Sequence, residues 1–194
     1  MRSRSGSICV YCGSSMGASP VYADAARSLA KALAEHGTSL VYGGGNVGLM
    51  GVIAEELMHL GGKVIGVIPR ALMDMEVGHG GLTCLRIVKD MHERKAMMAH
   101  LADGFIAMPG GIGTLEELFE MLTWAQLGFH GKPIGVLNVN RFYDGLANLL
   151  AHIVKERFLR MEDASRLIYE ENPDLLIRKL QTGKSGADTR NVVA

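Results

Sequence analysis

The sequence has little cysteine, no net charge and no long apolar run, and each shortage removes a class of protein. Its 194 residues carry three cysteines, Cys9, Cys12 and Cys84. An odd number without a disulfide framework fits a reducing compartment better than a secreted scaffold. Lys+Arg and Asp+Glu both number 20, a formal net charge of +0, so no global field draws the chain to nucleic acid or to acidic membranes. The opening Met1-Arg2-Ser3-Arg4-Ser5 is polar and not a secretory segment, and no apolar stretch is long enough to span a bilayer. A cytoplasmic protein with no nucleic-acid or membrane partner is expected. No long repeat or low-complexity block breaks the chain, whose length suits one domain over residues 1–181 and a polar, disordered tail over 182–194.

What is present is an alternation of short apolar runs and helical stretches. Strands are expected at Ser7 to Tyr11, Ser39 to Tyr42, Lys63 to Ile68, Cys84 to Val88, Gly104 to Met108, Pro133 to Asn138 and Arg166 to Tyr169, with helices between them. The first helix runs from about Pro20 to His36, with Ser19 as cap and Gly37 as stop. Such alternation predicts a Rossmann-like, doubly wound parallel α/β sheet with helices on both faces. The segment from Arg70 to Thr83 is loop-rich and predicts a mobile or interface-forming excursion. Cys9 and Cys12 have redox-motif spacing, but strand alternation sends them to opposite faces, as buried structural thiols.

The working centre falls at Met108-Pro109-Gly110-Gly111-Ile112-Gly113-Thr114-Leu115-Glu116-Glu117, where three glycines join an apolar strand to an acidic helix beginning near Leu115. Backbone N–H groups at such a helix start favour an oxyanion. No lysine follows the glycines as in a Walker A loop, which points to a monophosphate. A second loop, Gly43-x-Gly45-x-x-Gly48, matches the dinucleotide fingerprint, yet the next strand ends at Ile68-Pro69-Arg70 without the acidic residue that would hold a ribose. NAD is disfavoured and Arg70 suits NADP; alternatively these glycines only allow a tight turn and close helix packing.

Side-chain candidates flank these loops. On the helix after Asp90, Met91, Arg94, Met98 and Leu101 form one stripe, with Lys95 at its border. An inward arginine calls for an anion or a carboxylate, in a site or in a structural ion pair. His92 has no companions at metal-ligand spacing. Thr114-Leu115-Glu116-Glu117 reads as a capping box, a role that competes with chemistry at Glu117. Glu117 and Glu120 share a helix face where a carboxylate stabilises a cation or takes a proton from water. Glu116 points away, and Trp124 and Leu127 read as core.

Taken together, Met91-His92-x-Arg94-Lys95 and Pro109-Gly110-Gly111-x-Gly113-Thr114-x-x-Glu117 resemble the LONELY GUY family of cytokinin riboside 5′-monophosphate phosphoribohydrolases, often labelled lysine decarboxylases. Cys12-Gly13-Ser14-Ser15, Tyr42-Gly43-Gly44-Gly45, Gly48-Leu49-Met50-Gly51 and Thr123-Trp124-x-Gln126-Leu127-Gly128 extend the resemblance from about Ser7 to Phe158. It implies hydrolysis of the N-glycosidic bond of an adenine-type nucleoside 5′-monophosphate, without metal or organic cofactor, by a homodimer. It implies Arg94 and Glu117 as the catalytic pair, and Gly110, Gly111, Ile112, Gly113 and Thr114 around the phosphate. Leu115 and Glu116 follow on the same helix. Gly43, Gly44 and Gly45 would line the nucleotide pocket, with Glu76, Lys95, Thr123 and Glu120 as further substrate contacts. The competing readings are a general AMP nucleosidase, a nucleotide carrier without turnover and an NADP oxidoreductase. A lysine decarboxylase would need pyridoxal phosphate on a lysine, for which no motif is present.

Overall fold

Strand β1 (Ser7–Tyr11) is apolar on both sides, as a strand must be when helices cover both faces of a parallel sheet. Its alternation sorts the core in two: Ile8, Val10 and Cys12 enter one apolar cluster, Cys9 and Tyr11 the other. The computed structural model describes residues 6–73 and 81–182. Within them β1, β2 (Ser39–Tyr42), β3 (Val64–Pro69), β4 (Cys84–Val88), β5 (Gly104–Ala107), β6 (Ile134–Leu137) and β7 (Leu167–Glu170) form one seven-stranded sheet in the order β4-β3-β2-β1-β5-β6-β7. Every pairing is parallel; Ile8, for example, lies opposite Leu40 on one side and Gly104 on the other.

The helices divide by face. α1 (Val21–Glu35), α2 (Gly48–His59) and α7 (Pro173–Thr182) cover the face of Val10, whereas α3 (Met91–Leu101), α4 (Ile112–Gln126) and α5 (Asp144–Lys155) cover the face of Tyr11. α1 shows why the sequence folds this way. Ala26, Leu29, Ala30 and Leu33 form a fully buried stripe, and each buried leucine contributes roughly 1.5–3 kcal/mol. The helix stops at Gly37, whose φ of +61° lets its N–H reach Ala34 O while Thr38 N–H reaches Leu33 O. A four-residue helix, α6 (Met161–Ala164), precedes β7.

The chain winds outward from β1 to β4, then crosses back to place β5 on the other side of β1. That reversal opens a crevice at the carboxyl ends of β1 and β5, the usual ligand position in an open parallel sheet.

Several expectations need correction. Pro20, not Ser19, occupies the cap of α1, because its fixed φ of −61° already suits the helix; Ser19 Oγ only accepts from Val21 N–H at 3.4 Å. Leu127 is 62 % exposed, not core, because the helix ends at Gln126 and the chain turns outward there. Thr182 is the last residue of α7, not the start of a tail. In the Arg70 to Thr83 segment, a short 3-10 turn spans Arg70–Leu72; residues 74–80, like 183–194, lie outside the described residues.

Candidate functional site

The start of α4 is built from backbone. After β5, Met108 O accepts from Tyr143 Oη at 2.6 Å, and Pro109 O accepts from Gly13 N–H at 3.1 Å, which joins the loops after β1 and β5. A Cβ on Gly110 would fall 2.1 Å from Thr114 Oγ1 and 2.9 Å from Gly13 N, so only glycine fits. Gly111 is the N-cap, and the first intrahelical bond runs from Leu115 N–H to Gly111 O at 3.2 Å. The N–H groups of Ile112, Gly113 and Thr114 therefore precede the helical ladder. Gly111 has no side chain to cap them and no acidic residue lies in the first turn, a setting in which the positive end of the helix dipole favours an anion.

Beginning the helix at Ile112 removes the capping box expected at Thr114. Thr114 is already inside the first turn and buried, and Glu117 is a turn too far along to reach back. The reciprocal cap belongs to α3 instead, where Asp90 Oδ1 accepts from Glu93 N–H at 2.9 Å and Glu93 Oε2 from Lys89 N–H at 2.8 Å.

The fingerprint loop after β2 takes another role. Leu49 N–H at the start of α2 is bonded to Gly13 O at 3.0 Å, and a Cβ on Gly48 would lie 2.3 Å from Ser14 C. That helix end is sealed by the β1 loop, which leaves a pyrophosphate no place there and corrects the dinucleotide reading. Gly43, Gly44 and Gly45 are buried. A Cβ on Gly43 would meet Arg94 Nη2 at 2.3 Å, and one on Gly44 would meet Ile68 at 3.1 Å. In this chain the first two glycines accommodate protein, and Gly43 accommodates the arginine.

Arg94, 5 % exposed, donates from Nε to Val67 O at 3.1 Å and from Nη2 to Gly43 O at 2.7 Å. Two carbonyls at the carboxyl ends of β3 and β2 thus aim the guanidinium. Met91, expected on the same buried stripe, is 43 % exposed and touches Nη1 through Sδ at 3.7 Å. Glu117 is half-buried on α4. Burial above all pushes the Cys9 thiol well above its ordinary value, a hydrogen bond with Tyr11 pulls it down, the Glu117 charge pushes it up and the Arg94 charge pulls it down. Burial and then Glu117 likewise raise the Cys12 thiol. The Glu117 charge thus reaches Cys9 and Cys12, and the Arg94 charge reaches Cys9, with Glu117 carried by α4 and Arg94 by α3.

Lys95 crosses between those helices. Its Nζ contacts Glu116 Oε1 at 2.5 Å and Glu120 Oε1 at 3.0 Å. Burial pulls the ammonium down, but the bonds to Glu116 and Glu120 outweigh it and hold Lys95 above its usual range. Glu116, expected to face solvent alone, is exposed yet engaged. Thr123 is exposed, 11 residues past Ile112 and so about 16 Å further along the helix. Glu76 lies outside the described residues. No group of three or more His, Cys, Asp or Glu suited to a metal occurs among the described residues, and no helix among them is long and apolar enough to cross a membrane. A cavity of about 200 Å³ lies at the opposite end of the sheet, lined by Gly37, Gly61, Gly62 and Lys63. Sequence reasoning gave Gly13 no role beyond its place in the Cys12-Gly13-Ser14-Ser15 motif after the first strand, whereas its carbonyl and N–H tie three loops together.

The arrangement defines a Rossmann-like protein with a glycine-built helix start that favours an anion, and with an arginine on α3 and a carboxylate on α4. The model of a family described as "possible lysine decarboxylase" matches residues 50–180. The cytokinin riboside 5′-monophosphate phosphoribohydrolase LOG of Oryza sativa subsp. japonica is 54 % identical over 167 residues, 86 % of this chain and 69 % of the relative. Its namesake LOG7 of Arabidopsis thaliana is 47 % identical over 180 residues, 93 % and 83 % of the two chains. The chain belongs to this LONELY GUY family. Among solved structures, the molybdenum cofactor carrier protein of Chlamydomonas reinhardtii shares the fold with a TM-score of 0.70 at 19 % identity, covering 93 % of this chain and 98 % of that one. The molybdenum cofactor binding protein of Rippkaea orientalis does so at 0.69 and 22 %, covering 92 % and 97 %.

Proposed function

We propose that the protein hydrolyses the N-glycosidic bond of N6-modified adenosine 5′-monophosphates, releasing the free base, an active cytokinin, and ribose 5-phosphate. The observation that carries this reading is the glycine-built start of α4 beside Gly13, with Glu117 on that helix and Arg94 seated on the carbonyls of Gly43 and Val67; the relatives' named activity supplies the substrate. The phosphate takes the N–H groups of Ile112, Gly113 and Thr114. Breaking the C1′–N9 bond develops an oxocarbenium-like sugar, which a nearby carboxylate stabilises. Glu117 fills that role and accepts a proton from the attacking water as its oxygen bonds C1′ and the C1′–N9 bond breaks; that proton passes on to the departing base, which restores the carboxylate. Arg94, aimed by Gly43 and Val67, orients the nucleotide. Lys95, the lysine next to Arg94, is paired with two carboxylates, a setting unlike that of a Schiff-base lysine, which needs a neutral amine.

A homodimer in the cytoplasm is part of the proposal. Phe129 and Phe158 are 73 % and 87 % exposed in the single chain, apolar surface suited to a partner subunit, and all three cysteines are free.

Product analysis with N6-isopentenyladenosine 5′-monophosphate and with AMP tests the reading. Free base and ribose 5-phosphate are expected from the parent, with at least a hundredfold loss of kcat in Arg94→Ala and Glu117→Gln, on the order expected for removed transition-state stabilisation. Equal rates on both nucleotides would make the protein a general AMP nucleosidase, and binding without released base would make it a carrier.

A further inference from the structure

Tyr143, at the cap of α5, is 1 % exposed, and its hydroxyl donates to Met108 O at 2.6 Å. Met108 is followed by Pro109 and then by the glycines that open α4. A proline has no N–H, so the Met108–Pro109 peptide can be held by a hydrogen bond only through its carbonyl. Tyr143 holds that carbonyl, and Gly13 N–H holds the next one, Pro109 O, at 3.1 Å. Directly beyond these two anchored carbonyls come Gly110, Gly111 and the N–H groups of Ile112, Gly113 and Thr114.

The turn that presents Tyr143 is held in a conformation its residues do not favour. Asn140 and Arg141 have φ of +50° and +58°, a left-handed region that side chains other than glycine resist and that persists only where the surroundings enforce it. Asn138 supplies that enforcement. Its Oδ1 accepts from Tyr143 N–H at 2.7 Å, its Nδ2 donates to Asp144 Oδ1 at 2.8 Å, and its own N–H donates to Glu170 O at the end of β7 at 2.7 Å. Arg141 Nε adds a bond to Asp144 Oδ2 at 2.6 Å. A phenylalanine would fill the same space as Tyr143, so packing accounts for the ring but not for the hydroxyl. Burial raises the phenol above its ordinary value, which keeps it a hydrogen-bond donor.

We infer, on the reading above in which the start of α4 takes the 5′-phosphate, that Tyr143 is a positioning residue of that phosphate site. The chain of bonds from Glu170 through Asn138 and Tyr143 to Met108 is a strut. It ties the glycine loop to the ends of β6 and β7 and sets the direction of the N–H groups that meet the anion.

Tyr143→Phe removes the hydroxyl and nothing else. Calorimetric titration with ribose 5-phosphate reads the phosphate site without requiring turnover. The strut predicts a dissociation constant raised about five- to tenfold in Tyr143→Phe, the scale of one hydrogen bond, with KM for the nucleotide rising alongside. Leu150→Ala serves as the control, because it opens a cavity under the same helix and lowers stability without touching the strut; its ribose 5-phosphate affinity should stay parental. A parental constant in Tyr143→Phe, or an equal rise in Leu150→Ala, would overturn the strut and leave the hydroxyl a merely structural role. If Tyr143→Phe does not fold, Asn138→Ser, which shortens the clamp on the Tyr143 N–H, decides by the same measurement. A parent that binds ribose 5-phosphate with this dependence but releases no base keeps the strut and removes the hydrolase reading. An active parent with an unaltered Tyr143→Phe removes only the strut, and a parent that binds no ribose 5-phosphate removes the phosphate loop and the strut together.

Discussion

Arg94 owes its direction to a residue without a side chain. Gly43 supplies a carbonyl at 2.7 Å and an empty space that a Cβ would fill at 2.3 Å from Nη2. Gly43→Ala must therefore shift the guanidinium or the loop after β2. Activity is expected to fall about a hundredfold through misplacement of a group that the mutation does not delete, with a stability loss of about 1–3 kcal/mol from overpacking. Steady-state kinetics beside urea unfolding would check this; a fully active Gly43→Ala would mean that Arg94 is not held as described. At this scale the sequence was informative about Arg94, whose helical spacing pointed inward, but it marked Gly43 only as part of a glycine loop and not as the arginine's seat. A glycine's fit depends on what approaches it, and here the approaching group is 51 residues away.

Among the elements, α3 and α4 exchanged roles relative to the pattern. A threonine followed three residues later by glutamate reads as a cap, yet Thr114 is packed against Gly110 inside the helix, while Asp90 and Glu93 make the cap of α3. Asp90→Ala is expected to lower stability by about 1 kcal/mol with the hydrolysis rate changed by less than about threefold, measured by denaturant titration and product release. An unchanged stability would show that the Asp90 bond to Glu93 N–H has no weight in solution. The reason the sequence misassigned the cap is local ambiguity: Gly111, Gly113 and Thr114 all suit a helix start, and the choice among them is made by the packing of the β1 loop on Gly110.

The whole molecule carries a pH dependence through the turn between α4 and β6. His130, between α4 and β6, has Nε2 at 3.0 Å from Met121 O and Nδ1 accepting Lys132 N–H at 3.1 Å, with its ring 5.3 Å from that of Phe105. This places the proton on Nε2, and a second proton would cost the Lys132 bond. Burial lowers the His130 pKa below its ordinary value, partly offset by the bond to Met121. Because the folded pKa is the lower one, the unfolded chain binds more protons as pH falls below about 6.5. The stabilisation is complete above that value and is lost as pH drops through the folded pKa. Urea midpoints at pH 7.5 and 5.5 should therefore fall more for the parent than for His130→Asn; equal falls would exclude His130 as the titrating group.

The chain's own order of residues determined the elements and the class of the fold. Apolar runs of strand length alternating with helical stripes permit few arrangements besides a parallel sheet with helices on both faces, and the glycine-rich join of strand to helix before α4 was legible from the local sequence. Tertiary structure decided which of the two glycine loops stays open. Gly13 lies far from both in sequence, yet its carbonyl closes the start of α2 and its N–H fixes the loop before α4. Pairing between segments that meet only when β1 enters the middle of the sheet leaves no trace in local pattern, and so the ion pairs of Lys95 with Glu116 and Glu120 and the seat of Arg94 on Gly43 became visible only in the fold.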